Sequence, residues 1–217
     1  MAYRTTALRI DRDQALRERI LACALALVAE GGFAGLSMQA LAEAAGIATG
    51  SLYRHFRSKG ELAAEVFALA SQREVDALAQ ALRGPNSPLA RLAAGLERFA
   101  ARAWDSRQLA FALIAEPVEP QVDEQRLRYR EAYAELFVEL LREGVARGLL
   151  PAQPINLVAA CLVGAIAEAL VGPLSPPARA AREAGYPAPS LEQVSQALIT
   201  FCLRAVGAPL PVEEPQP

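Results

Sequence analysis

Apolar residues recur at intervals of three and four along most of this 217-residue chain, the spacing that gives a helix one buried face. The first such stretch runs from about Asp13 to Glu30 and stops at the pair Gly31 and Gly32. Later stretches also stop at glycine or proline, which end helices. No stretch alternates apolar and polar residues as a half-buried strand does. The pattern therefore predicts an all-α fold of about nine helices.

Glycine and proline divide the rest of the chain into further helices. The stretch 172–189 contains five prolines and two glycines and predicts a mobile loop, and the polar, proline-rich residues 208–217 predict a disordered tail. The predicted helices after the first are Met38 to about Ala45, a short helix over Thr49–Phe56, Lys59 to about Leu82, about Pro88 to Trp104, one within 107–115, a long one that follows the breaks at Pro117 and Pro120 and ends near Gly148, Ile155–Val171 and Leu191–Val206.

Residues 37–61, SMQALAEAAGIATGSLYRHFRSKGE, predict two short helices joined by a glycine turn. Ser37 is placed to cap the first helix, and Gly46 is placed to end it in the left-handed conformation that glycine tolerates. Ser58 and Glu61 have the spacing of a capping box for the next long helix. Such a pair of short helices is typical of a DNA-binding helix-turn-helix.

This segment resembles the DNA-binding domain of the TetR (tetracycline repressor-like) regulators over roughly the first 65 residues. The resemblance rests on Glu30-Gly31-Gly32-Phe33, Ser37, Gly46-Ile47, Leu52-Tyr53, His55-Phe56, Ser58-Lys59 and Leu62. It implies a helix-turn-helix domain over 1–60, whose residues 1–12 form a flexible arm, and a helical effector-binding and dimerisation domain over 61–207. Ala48 departs from the family pattern, which often places a capping serine there.

Small polar and aromatic side chains on the two short helices are the candidate DNA contacts. Hydroxyls suit base edges and phosphates, a glycine allows close approach, and a lysine suits phosphate. Arg4 and Arg9 in the arm are candidates for the minor groove, with disorder of the arm as the alternative. Tyr53 and His55 have the alternative role of partly buried packing residues. The candidate DNA-binding residues are Ser37, Gln39, Thr49, Gly50, Ser51, Tyr53, His55 and Lys59.

The distribution of charge agrees with DNA binding although the net charge of the chain is −2. Residues 1–60 contain eight basic and five acidic side chains, a local charge of +3, whereas the remainder carries −5. A basic end directed at phosphate and an acidic end directed away from it fit a double-stranded DNA partner.

The second predicted domain has aromatic and charged residues that suit a small-molecule effector, as the resemblance implies. The alternative is that the aromatic side chains are ordinary core and that Arg107 pairs with a surface acid. Glu168 needs a polar partner wherever it is buried. The sequence supports a position in the effector cavity and a position in the dimer interface equally. The candidate effector residues are Trp104, Arg107, Phe111, Glu116, Tyr129, Tyr133, Phe137 and Glu168.

The last two long helices have apolar stripes that fit a four-helix interface between twofold-related subunits, again as the resemblance implies. The same stripes would also fit the core of a monomer. The candidate interface residues of this homodimer are Ala160, Gly164, Ala167, Val194, Leu198 and Phe201.

Other classes of protein are disfavoured by what the sequence lacks. Its single histidine lies in the helix-turn-helix, and no catalytic, nucleotide-binding or dinucleotide-binding motif is present, so we predict no enzyme, no cofactor and no metal site. Three widely spaced cysteines and no apolar run typical of a signal peptide or membrane span predict a cytoplasmic protein without a membrane partner. A DNA-binding architectural protein without an effector remains the second alternative.

Overall fold

A computed structural model describes residues 2–208, with side chains described from Arg9 onward. Its described residues form ten helices and no strand, which confirms the all-α class. The helices are α1 (Ala2–Gly35), α2 (Met38–Ala44), α3 (Thr49–Leu52), α4 (Lys59–Ala81), α5 (Pro88–Asp105), α6 (Arg107–Ile114), α7 (Pro120–Ala146), α8 (Ile155–Leu174), α9 (Pro176–Glu183) and α10 (Leu191–Ala205).

The N-terminal core is built by α1 to α3 and the first half of α4. Leu41, Leu52 and Phe56 are almost completely buried there, together with Leu62 and Phe67 of α4. Ala112 of α6 and Val122 of α7 also enter this core, so it includes residues from beyond the predicted domain boundary at 60.

The larger core lies among α4, α5, α7, α8 and α10. Leucines dominate it, and Phe137 is its largest fully buried side chain. Gly95 lets α5 approach α4, because a Cβ at this position would lie 2.6 Å from Leu82 Cδ2. The long α4 contributes to both cores and therefore connects the two parts of the protein.

The first helix is much longer than the sequence predicted. It begins at Ala2 rather than near Asp13, so residues 2–12 are helical where a flexible arm was expected. No glycine or proline interrupts residues 2–12, which explains why the helix continues backward. Arg9 is exposed, whereas the side chain of Arg4 lies outside the described side chains.

The third helix is shorter than predicted, because α3 ends at Leu52 and residues 53–55 form turns. Ala48 occupies its N-cap without a side-chain hydrogen bond. At the start of α4, Ser58 Oγ accepts from the amide of Glu61 as predicted, but the Glu61 carboxylate accepts from the amide of Arg57 rather than that of Ser58.

The proline-rich stretch 172–189 contains a helix, α9, where a loop was predicted. Ser175 caps it, since Ser175 Oγ accepts from the amide of Ala178, and prolines occupy its first turn, where no amide is needed. This additional helix raises the number from about nine to ten. The predicted disordered tail lies outside the described residues except for Ala208.

One described helix, α8, is long and apolar enough to cross a membrane by length and composition alone. In the fold it packs against α6, α7 and α10, and Leu162 and Leu170 are buried by these neighbours. Its composition is therefore that of a core helix with an additional exposed apolar face.

Candidate DNA-binding surface and effector cavity

The turn between α2 and α3 has the geometry that the sequence predicted. Ser37 Oγ accepts from the amide of Ala40 at 3.1 Å and so caps α2. Gly46 has φ of +64°, the left-handed conformation that favours glycine. The amide of Ile47 then returns to the carbonyl of Ala42 at 3.0 Å, which fixes the angle at which α3 leaves the turn.

Arg17 of α1 contacts both α4 and the residues between α3 and α4. Its guanidinium donates to both carboxylate oxygens of Glu65 in α4, at 2.5 and 2.6 Å. The same group lies over the ring of Phe56, 4.7 Å from its centroid. One side chain thus connects α1, α4 and the residues that follow α3.

The candidate DNA-binding residues lie on the outside of this unit. Thr49, Gly50 and Tyr53 are exposed, and Tyr53 retains 53% of its accessible surface. Ser51 and His55 are half-buried, so the packing role considered for His55 fits its position in part. Ser37 and Gln39 are also exposed on α2.

Lys59, at the first position of α4, faces an acid of the second domain. Its Nζ lies 3.4 Å from Glu119 Oε1, and both side chains remain more than one third exposed. An exposed pair of this kind contributes little to stability. The ammonium group of Lys59 can therefore leave the Glu119 carboxylate and pair with a phosphate instead.

A cavity of about 100 Å³ lies among α4, α5, α6, α7 and α8. Its walls are mostly apolar, and Phe99 and Tyr133 meet there edge to face at 5.7 Å. The lining residues are Phe67, Ser71, Glu74, Leu78, Leu96, Phe99, Arg102, Ala103, Ser106, Leu109, Ala110, Leu113, Ile114, Arg126, Tyr129, Arg130, Tyr133, Phe137, Val163, Ile166 and Ala167.

Glu74, Arg102 and Tyr133 form a part of the cavity wall, called here the inner wall, that has little net charge. Arg102 donates two hydrogen bonds to the carboxylate of Glu74, at 2.6 and 2.7 Å, and this contact raises the pKa of Arg102. Burial, with the nearby charge of Glu74, holds the pKa of Tyr133 far above its ordinary value. The phenol is therefore protonated at any physiological pH, and the inner wall suits an uncharged body.

Three of the eight candidate effector residues line the cavity: Tyr129, Tyr133 and Phe137. The other five lie elsewhere, because the helical spacing turns them away from it. Glu168 lies on the exposed face of α8. Trp104 and Arg107 stack on each other. Phe111 packs in the larger core, and Glu116 contacts α1.

The resemblance implied a pocket among the fourth to eighth helices, but the sequence prediction named none of the residues that α4 contributes to the cavity. Phe67, Ser71, Glu74 and Leu78 recur at intervals of three and four, which places them on one face of α4. Ser71 is almost completely buried on this face. A serine and a glutamate within an apolar stripe were the available signal for a cavity wall.

Glu116 forms a hydrogen-bonded joint between α1 and the segment that follows α6. Gly32 has φ of +68° and interrupts α1, which leaves the next amides without helical partners. The carboxylate of Glu116 accepts from the amides of Phe33 and Ala34, at 2.8 and 2.9 Å. A Cβ at Gly32 would lie 2.5 Å from Glu116 Oε2, so glycine is needed for both backbone angle and space.

Arg126 connects this joint to the cavity. It lies on the cavity wall, and its guanidinium donates to the carbonyls of Leu113 and Glu116, at 3.0 and 2.8 Å. Burial lowers the pKa of Arg126, and the carboxylate of Asp123 partly opposes this effect. The end of α6 is thus held by a side chain that lines the cavity.

The candidate dimer residues separate into exposed and buried groups. Ala160 and Gly164 lie exposed on α8, and Phe201 on α10 is 57% exposed. Val194 and Leu198 are instead buried within the protomer, because this face of α10 packs on α5 and α8. Ala167 lines the cavity rather than the surface. Among the described residues, no three potential metal ligands lie together.

The comparisons with known proteins agree with this geometry. The family described as bacterial regulatory proteins, tetR family, matches residues 20–66, a segment that includes the second part of α1, all of the helix-turn-helix and the start of α4. The chain carries the DNA-binding domain of the TetR family of regulators.

Two curated relatives within the TetR family are transcriptional repressors. The chain is 30% identical over 137 residues to the HTH-type transcriptional repressor KstR2 of Mycolicibacterium smegmatis, covering 61% of this chain and 66% of that protein. It is 42% identical over 72 residues to KstR of Rhodococcus jostii, covering 33% of this chain and 31% of that protein. The aligned segments thus span less than two thirds of either relative.

A solved structure shows that the similarity of fold extends over most of the chain. The regulator FadR of Bacillus subtilis, in complex with stearoyl-CoA, matches with a TM-score of 0.70 at 16% identity, covering 87% of this chain and 98% of that chain. The family and these relatives consist of regulators rather than enzymes.

We expect Glu116→Ala to loosen the joint at Gly32. Losing two hydrogen bonds to a carboxylate should cost about 1–3 kcal/mol, and the amides of Phe33 and Ala34 should exchange hydrogen faster. Gly32→Ala should have the same effect, since its methyl group displaces the carboxylate. The double variant should be less destabilised than the sum of the two. Unchanged exchange at both amides in Glu116→Ala would show that the joint does not hold α1.

Proposed function

We propose that the protein is a cytoplasmic, homodimeric transcriptional repressor that binds a near-palindromic DNA operator and is released by a small, largely apolar effector. The proposal depends most on one observation: α6 lines the cavity and is followed directly by the Glu116 joint to the helix-turn-helix domain. The repressor function of the relatives supports the sign of the regulation.

The exposed first turn of α3 is the proposed reading surface. Thr49, Gly50 and Ser51 would meet base edges, because the start of a docked helix approaches the major groove most closely. Tyr53 would contact a thymine methyl group or a phosphate, and Gln39 would support it from α2. Lys59, once released from Glu119, would bind a phosphate.

We expect single substitutions to separate these roles. Lys59→Ala should weaken binding to all sequences alike and lower the salt slope by about one unit. Thr49→Ala should cost on the order of 1–3 kcal/mol and alter base preference, and Tyr53→Ala should weaken binding without unfolding. Arg98→Ala, on the exposed face of α5, is the control. Fluorescence anisotropy on DNA selected from genomic fragments measures all four. Full binding by both the Tyr53 and the Lys59 variants would exclude this surface.

The dimer interface is proposed on the exposed faces of α8 and α10. Leu157 is 63% exposed there and Phe201 57%, while Ala160 and Gly164 leave space for a helix to approach closely. Two copies of these helices would form a four-helix interface. Twofold symmetry would double the few base contacts of one reading helix.

Gly164→Arg should convert the dimer to a monomer. A Cβ at Gly164 meets no atom within 4 Å in the protomer, so the protomer itself should fold normally, whereas two arginines would collide across the proposed interface. Ala94→Arg, on the exposed face of α5, should remain dimeric. Sedimentation at micromolar concentration distinguishes the two. A monomeric wild-type protein, or a dimeric Gly164→Arg variant, would contradict the interface.

The effector is proposed to fill the cavity that is lined by helices α4 to α8. The neutralised Glu74 and Arg102 pair and the protonated phenol of Tyr133 suit an apolar body, and Arg126 and Arg130 add positive charge elsewhere on the wall. The complex of FadR with stearoyl-CoA supports an amphipathic compound. An occupant that moves Arg126 would shift Glu116, and with it the helix-turn-helix.

We expect Ala110→Phe to abolish the response to the effector and to leave DNA affinity nearly unchanged, because the added ring occupies the cavity. Ala94→Phe makes the same change on the surface and should respond normally. Release of DNA by a panel of acyl-CoA esters, fatty acids and small aromatic compounds measures the response. A coupling of about 1–3 kcal/mol corresponds to roughly 5- to 150-fold release. Failure of the whole panel to bind or to release DNA would favour an architectural protein without an effector.

A further inference from the structure

A second cluster of polar groups lies outside the cavity, where α9 meets the end of α5 and the start of α6. The guanidinium carbons of Arg107 and Arg182 lie 5.0 and 4.7 Å from the ring centroid of Trp104. Arg179, also on α9, donates to the side-chain oxygen of Gln108. Neither Trp104 nor any of these arginines lines the cavity.

Three N–H-bearing nitrogens of the two stacked guanidinium groups lack acceptors. Nε of Arg107 and both Nε and Nη1 of Arg182 are buried without a hydrogen-bond partner, and Arg182 uses only Nη2, which donates to the carbonyl of Pro173. The indole ring attracts both cations, but it does not satisfy their N–H groups. A buried donor without an acceptor costs free energy, so the cluster needs a group that accepts several hydrogen bonds.

The surrounding charges favour an anion as this group. Among the side chains described from Arg9 to Ala208, no carboxylate lies within ion-pair distance of Arg107, Arg179 or Arg182. The acids nearest in sequence, Asp105 and Glu183, are exposed. In addition, Ser106 gives α6 no side-chain cap, so the positive end of this helix dipole lies beside Arg107.

We propose that Arg107 and Arg182, held on Trp104, form a binding site for an oxyanion, a carboxylate or a phosphate. Both groups accept paired hydrogen bonds from a guanidinium in a matching planar geometry. The anion would neutralise two like charges and connect α6 to α9, a helix that has no buried residue of its own. This site does not depend on the proposed effector cavity or on DNA binding.

Trp104 provides a direct measurement, because it is the only tryptophan in the chain. The full-length protein would be titrated with inorganic phosphate, hexyl phosphate and hexanoate, with sodium chloride at matched ionic strength as the reference. Tryptophan fluorescence and the midpoint of thermal unfolding are the two readouts. We expect a saturable change in both with at least one oxyanion and none with chloride.

The three probes distinguish the source of the anion. Equal affinity for inorganic phosphate and hexyl phosphate would assign the site to a free phosphate. Affinity at least tenfold higher for hexyl phosphate would assign it to the headgroup of an amphipathic molecule. A response to hexanoate alone would assign it to a carboxylate.

Variants test which residues bind the anion. Arg107→Gln and Arg182→Gln should each weaken binding at least tenfold, whereas Arg98→Gln, on the same helix as Trp104, should bind as the wild type does. If a glutamine variant fails to fold, the matching lysine variant keeps the charge but loses paired hydrogen bonding, and should bind several-fold more weakly. No response beyond that to chloride, or an undiminished response in the Arg107 and Arg182 variants, would overturn the proposal.

Discussion

The contact between the Glu116 carboxylate and the amides of Phe33 and Ala34 is the constraint on which the relation between the two parts of the protein depends. Gly32 interrupts α1 and leaves these amides without helical acceptors, and a side chain 83 residues further along supplies the acceptor. These two hydrogen bonds fix the end of α1 to the segment after α6. A movement of that segment changes the position of α1 directly.

The first, middle and last residues of the short helix α6 contact three different parts of the structure. Its first residue, Arg107, belongs to the arginine cluster on Trp104. Its middle residues, Leu109 and Ala110, line the cavity, and its last carbonyls are held by Arg126 before the chain reaches Glu116. This eight-residue helix is held by these polar contacts together with half-buried apolar side chains that pack against both cores. Its position is therefore sensitive to what occupies either neighbouring site.

Sequence pattern was sufficient where the cause of structure is local. Ser37, Gly46 and Ser58 act within three or four residues, so the caps and the glycine turn were predicted correctly, as were the bounds of α4 to α7 within a few residues. It failed where two local signals competed. Prolines predicted a loop over 172–189, yet prolines are also suited to the first turn of a helix, and Ser175 caps α9 there.

The sequence by itself determined the all-α class and the helix-turn-helix, because helical period and capping are encoded by neighbouring residues. Of its five aromatic effector candidates, only Tyr129, Tyr133 and Phe137 line the cavity. Tertiary structure alone decided that Glu116 contacts α1, that Val194 and Leu198 face the protomer core, and that Glu168 lies on the surface. Each of these outcomes depends on how a helix is rotated against a distant partner. Period alone does not specify that rotation, since packing of the whole bundle sets which face is buried.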